Sequence, residues 1–235
     1  MARVRSGVFE FDGVAPNSTH RVQLTVRAGD NALRSAELPM KALPERVPTG
    51  MGDSLNLLIV SCYSEPTDPA GQAGSLVANL PATHTPDMTI LMGDQVYLDS
   101  PIFTKPTSDT TELAQLFERK YITNCTIGDR RANGFAQVLN AAPTSCIPDD
   151  HEYWNNHPRP SVISPITLTS RGRDAWAAVA RSLFAAFAQD EADQYCRTID
   201  IESLCFFLMD NRTFRSEDFG PSMHRPPVPV NSAGQ

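Results

Sequence analysis

Two uninterrupted apolar runs, residues 55–61 (LNLLIVS) and 88–92 (MTILM), each stop on a small polar turn, and a helical pattern over 73–80 lies between them. Runs this short, without alternation, read as strands covered on both faces, and the helix between them supplies the crossover that parallel pairing needs. The pattern predicts a β-α-β unit and an α/β fold. Helical patterns at 111–124 and 131–141 lead into a third strand near 143–147. The longest helix is predicted over 173–188, where Trp176, Val179, Ala180, Leu183, Phe184 and Phe187 form one apolar face that packs on a sheet. A strand pair follows at 195–199 and 204–209, joined by a turn at 200–203.

The chain starts differently. Segments at 8–11, 20–26 and 33–40 read as short strands broken by turn residues, with Val22, Leu24 and Val26 alternating inward. The expected organisation is a small β unit over 1–45, a linker over 46–53, an α/β domain over 54–220 and a flexible proline-rich tail over 221–235. With 27 acidic against 20 basic residues the net charge is −7, which repels polyanions and argues against a nucleic-acid scaffold or an anionic-membrane surface. No apolar run reaches the roughly 18 to 20 residues a membrane span needs. The N-terminus lacks the apolar stretch of a signal peptide, so the chain as given is expected to be cytoplasmic, or secreted or periplasmic where an export signal has been removed. Five widely spaced cysteines, 62, 125, 146, 196 and 205, contain no CxxC pair, which argues against a disulfide framework or zinc knuckle and fits a reducing compartment.

In open α/β sheets, ligands gather at the carboxyl ends of the strands. This sequence concentrates its chemistry there. The first strand ends in Ser61-Cys62, the second in Gly93-Asp94-Gln95-Val96-Tyr97, the third in Asp149-Asp150-His151-Glu152, and the last in Asp210-Asn211-Arg212. Carboxylates, an imidazole, a thiol, a phenol and a guanidinium from four strand ends make a set suited to hard cations and a phosphoryl group. Each has an ordinary alternative. Cys62 alone fits a small core residue, Asp94 a turn, Tyr97 a core ring with a solvated hydroxyl, and Arg212 a surface partner of Glu217 or Asp218. The run 149–152 also has a solvated-turn reading, although four adjacent ionisable groups beside Tyr153-Trp154 are costly without a cation or hydrogen-bond partners. His20, His84, His157 and His224 lack such company and are read as non-catalytic.

At these residues the chain resembles the PhoD-type alkaline phosphatase/phosphodiesterase family of the metallophosphoesterase (calcineurin-like) superfamily. The family pattern is Ser-Cys, Gly-Asp-x-x-Tyr, Asp-Asp-His-Glu followed by an Asn pair, then Asp-x-Arg. Here these are Ser61-Cys62, Gly93 to Tyr97, Asp149 to Glu152 with Asn155-Asn156, and Asp210-Asn211-Arg212, in order over about residues 55–219. The resemblance implies a partial metallophosphoesterase-type layered α/β sheet, preceded by a remnant of a fibronectin-like β domain. It implies a phosphomonoesterase or phosphodiesterase in which a metal-bound hydroxide attacks phosphorus. Asp94 would bridge two ions, Cys62 and Tyr97 would complete the shell of a ferric-type ion, and Asp150, with Asp149, would serve the second. His151, oriented by Glu152, would hydrogen-bond the phosphate or protonate the leaving oxygen, and Arg212 would clamp the phosphate. Iron with calcium is the expected metal pair, with manganese, magnesium or zinc as alternatives.

The family continues into a second half of the sheet and a later Gly-Asp-x-His motif that this chain does not carry. The expectation is therefore an N-terminal half of such an enzyme. The alternative is a catalytically incomplete homologue that binds metal or phosphate, or acts as an interaction module. A weaker third reading is an α/β binding domain whose acidic strand ends are only turns and which takes no metal. An uncovered sheet edge would favour homo-oligomers.

Overall fold

The computed structural model describes residues 9, 11–29, 31–35, 37–50, 53–100, 107–125, 134–188 and 196–215. Three strands, β5 (Leu57–Val60), β6 (Met88–Met92) and β7 (Thr144–Ile147), form a parallel sheet in the order β5-β6-β7. Leu57 pairs with Met88 and Thr89 with Thr144, so the three carboxyl ends lie side by side. Helices α1 (Gln72–Ala78), α2 (Thr110–Cys125) and α3 (Gly134–Ala141) occupy the crossovers, as the β-α-β pattern predicts. The long helix α4 runs Ser170–Ala188, three residues earlier than expected, because Thr169 Oγ1 accepts the Gly172 N–H at 3.1 Å and caps the first turn. It buries Trp176, Ala180 and Phe184, with Val179, Leu183 and Phe187 partly covered, so the predicted face is the packed one. β8 (Cys196–Ile201) and β9 (Leu204–Met209) form an antiparallel hairpin.

The central strand β6 explains why an apolar run without alternation was needed here. On one face, Met88 and Ile90 pack against Ile201 and Leu208 of the hairpin. On the other, Leu91 packs against Phe135, Val138 and Phe184. A third cluster lies beyond the strand ends and is the most thoroughly buried: Val96, Leu98, Phe117, Tyr153, Trp154 and Trp176. Val96 and Leu98 alternate with Gln95, Tyr97 and Asp99, so driving two apolar residues into the α2–α4 cluster turns the polar ones the other way. The loop after β6 is thereby anchored by core packing. Strand β5 is an edge, and its Leu57 and Ile59 side chains are exposed.

The N-terminal unit departs from expectation. Residues 20–26 are not one strand with an inward face; Leu24 and Val26 are exposed. The chain forms β1 (Thr19–Val22), β2 (Thr25–Ala28), β3 (Asn31–Arg34) and β4 (Leu38–Lys41), and the expected strand at 33–40 is likewise split. β1 pairs with β4 and β2 with β3, and the register shifts by one residue between the two ladders. That offset is the signature of a β-bulge in one long hairpin. Leu24 and Val26 belong to none of the three buried clusters, so their alternation marks a strand and not a covered face. Residues 9 and 11 carry no strand; the rest of 8–11, and the tail at 221–235, lie outside the described residues. The hairpin is tied to the sheet by Lys41, whose Nζ lies 2.6 Å from Asp87, while Asp87 also accepts the Asn56 N–H at 2.9 Å. No helix among the described residues is long and apolar enough to cross a membrane.

Among the described residues, His157 is the one buried histidine. Its ring stacks on Tyr153 at 4.2 Å and meets Trp154 edge-on at 4.4 Å, and its Nδ1 has no hydrogen-bond partner among the described residues. Burial, with the nearby Arg212 charge, lowers its pKa from 6.5 to about 4. The folded state therefore resists a proton that the unfolded chain accepts. Its contribution is fully present above pH 6.5 and is lost as the pH falls through about 4, on the order of 3 kcal/mol in all. Urea denaturation between pH 7 and 4 is expected to show this loss, and His157→Phe, which keeps the ring stack, is expected to flatten it.

Candidate functional site

The site begins with backbone geometry at two adjacent strand ends. Beyond β5 and β6 the chains stay paired: the Cys62 N–H donates to Gly93 O at 3.2 Å and the Tyr63 N–H to Asp94 O at 2.8 Å. Cys62 and Asp94 both sit in the left-handed region, at φ 60° and 57°. Such residues cost about 1 kcal/mol or more each and persist where surrounding structure over-determines them. Gly93, at φ 92°, has no room for a side chain: a Cβ there would lie 2.3 Å from Asp149 Cβ and 2.6 Å from Asp149 N. That close approach brings the ends of β6 and β7 together.

Glu152 locks the contact. Its carboxylate, 1% exposed, accepts the N–H groups of Asp94 at 2.7 Å, Asp149 at 2.8 Å and Val96 at 2.9 Å. Burial pushes its pKa up to about 8 against the pull of these three donors. Glu152 was expected to orient His151; its two oxygens are instead committed to the backbone of both loops. Asp99 takes the orienting position, with Oδ1 2.8 Å from His151 Nδ1 and Oδ2 accepting the Asn155 N–H at 2.8 Å. Asp99 belongs to none of the strand-end motifs of the sequence. Its signal was the alternation through Tyr97 and Asp99 opposite the apolar Val96 and Leu98.

His151 is held on three sides. Its ring stacks on Tyr97 at 4.1 Å, and its N–H donates to Asp94 Oδ1 at 3.2 Å. Burial lowers its pKa, but the Asp99 bond and the charges of Asp99, Asp94 and Asp150 outweigh it, and the net shift is upward. With Nδ1 engaged by Asp99, Nε2 is the nitrogen left for a ligand.

Asp94, Asp150 and His151 each offer a donor atom, all within 4.8 Å of one another. Cys62, exposed rather than buried in a core, has its thiol 3.5 Å from Asp94 Oδ2, and the Tyr97 hydroxyl bonds that thiol. Burial raises the Asp94 pKa, and the charges of Asp149 and Asp150 add to the rise. Burial and Asp94 raise that of Tyr97. A buried carboxyl crowded by two like charges is what a bound cation relieves, so the donor set fits a hard metal ion with one softer thiolate contact. Asp149 is turned elsewhere. It pairs with Arg212 Nε, while Arg212 Nη2 lies 3.8 Å from Asp150 and Nη1 donates to His157 O at 3.2 Å. Of the eight candidate site residues, Cys62, Asp94, Tyr97, Asp150 and His151 converge on one cluster, Asp149 and Arg212 pair beside it, and Glu152 fastens its loops.

No family model matches the chain, and no curated protein sequence does either. A solved structure does, the structure of PhoD, with a TM-score of 0.56 and 18% sequence identity over 87% of this chain. The chain has a PhoD-like fold. It spans 39% of the PhoD chain that it matches. The α/β class and the resemblance read from the strand-end motifs agree with that match.

Because Gly93 and Glu152 hold the loops together, both are expected to be intolerant. Gly93→Ala is expected to lower stability by about 2 to 4 kcal/mol through overlap with Asp149 and the strained φ. Glu152→Gln, which sets an amide N–H₂ against backbone donors, is expected to cost about 2 to 3 kcal/mol. Urea unfolding midpoints check both.

Proposed function

We propose that this chain carries the metal-binding part of a PhoD-like phosphoester hydrolase acting on phosphomonoesters or phosphodiesters. The observation that carries the reading is the Asp94–Asp150–His151 triangle at the carboxyl ends of the parallel strands of a PhoD-like fold. Asp94 and Asp150 would hold the metal, with Cys62 and Tyr97 as further donors. The thiol and phenol suit iron, and the carboxylates suit calcium, magnesium or manganese, with zinc a further candidate. Bound cations supply Lewis acidity toward water and toward the phosphoryl oxygens.

The chain's own groups do the rest. His151, fixed through Nδ1 by Asp99, whose bond and charge favour its protonated form, would donate from Nε2 to the leaving oxygen. Arg212 binds non-bridging oxygens, exchanging its Asp149 partner for the phosphoryl group. Glu152 acts as a positioning residue, through the backbone of Asp94, Val96 and Asp149.

The Arg212–Asp149 pair also favours a second reading, a module that binds metal or phosphate without turnover, since the guanidinium is already satisfied. Elemental analysis of the dialysed protein and hydrolysis of p-nitrophenyl phosphate and bis-p-nitrophenyl phosphate separate the two. The hydrolase reading expects bound metal and metal-dependent turnover, both lost in Asp94→Asn. Metal without turnover supports the second reading, and no metal defeats both. Asp99→Asn is expected to lower kcat roughly 10- to 100-fold with metal content retained. Losing the Asp99 charge lowers the His151 pKa, so the alkaline limb of kcat/KM should move to lower pH.

A further inference from the structure

Beside Asp94, a cavity of about 360 Å³ opens between the ends of β5 and β6 and the helices α1 and α3. Cys62 and Asp94 are among its lining residues, so it adjoins the acidic cluster. Leu91 and Val138 line its interior, and Ala73, Leu76 and Val77 of α1 form one wall. Tyr63 and Phe135, stacked at 4.7 Å, form another. The walls cannot collapse inward easily. α1 and α3 already meet backbone to backbone, since a Cβ on Gly74 would lie 1.9 Å from Gly134 O.

The chemistry of the lining selects its occupant. Among the described residues lining it, none is cationic, so a second phosphate or a carboxylate finds no counter-charge there. The Tyr63 hydroxyl is already bonded to Asp68, so Ser61 and Gln95 supply the uncharged polar side chains of the lining, against seven apolar ones. The volume lies at the low end of the roughly 300 to 1,000 Å³ of ligand pockets, room for one ring or a short alkyl chain. Asp94 belongs both to the Asp94–Asp150–His151 cluster and to the cavity lining, so a phosphoryl group at the cluster would have this cavity within reach of its ester substituent. We infer that the cavity is the leaving-group subsite, and that it selects phosphoesters of aryl or short alkyl alcohols over those of charged ones. The inference rests on the phosphoester reading above and adds the substrate class.

Binding rather than turnover tests it. Manganese-loaded protein is titrated calorimetrically with phenylphosphonate and with methylphosphonate, which share the phosphoryl head and differ in the apolar group. The phenyl compound is expected to bind about tenfold more tightly, the gain from covering one ring in a half-open cavity. Leu76→Asp, at a position 71% exposed and so tolerant of change, is expected to abolish that preference while leaving methylphosphonate affinity as it was. Ala73→Phe, which fills the cavity from the same wall, should do the same. Equal affinity for the two phosphonates in the unaltered protein, or a preference that survives both substitutions, overturns the subsite and leaves the phosphoester reading standing. Failure of the metal-loaded protein to bind either phosphonate defeats both.

Discussion

One buried carboxylate holds the site together. Glu152 reaches from the loop after β7 and accepts N–H groups from the loop after β6 and from its own loop. Unpaired in the interior, each of those donors and the carboxylate itself would carry a desolvation cost of several kcal/mol; together they satisfy one another. Because the bonds go to backbone, they fix the path of the chain and not merely one side chain. The left-handed turns at Cys62 and Asp94 and the close passage of Gly93 over Asp149 depend on that restraint.

From this follows a division between loops that carry chemistry and packing that aims it. Val96 and Leu98 sink into the cluster formed with Phe117, Trp154 and Trp176, which leaves Tyr97 and Asp99 on the side facing His151. Trp176 Nε1 in turn donates to Tyr153 O at 2.6 Å, so α4 supports the loop after β7 by a hydrogen bond as well as by contact. Rigid support of this kind lets acidic groups lie close together without scattering into solvent. Four consecutive ionisable residues, 149–152, each find a different partner: Arg212, the Asn156 N–H, Asp99 and the three backbone donors.

Much of this was legible in the sequence because it depends on local pattern. The unalternated apolar run of β6, the periodic face of α4 and the polar residues at four strand ends are read directly from residue types and spacing. What escaped depends on distance along the chain. Glu152 meets Asp94 across 58 residues through a backbone N–H, and backbone donors have no sequence signature. Asp99 follows an apolar residue and precedes Ser100, which reads as an ordinary turn. The exposure of Leu24 and Val26 has another cause: alternation identifies a strand but does not show what covers it.

Arg212 lies 63 residues beyond Asp149, in the turn that follows the last hairpin. On a ribosome adding roughly 5 to 20 residues per second, the acidic loop is made some 3 to 13 seconds before its counter-charge. During that interval the nascent α/β segment carries the whole negative cluster without the guanidinium that balances it, and free cations in the surroundings are its available counter-ions. The order of the polypeptide thus sets an order of assembly, in which the carboxylates are made before the arginine that pairs with them.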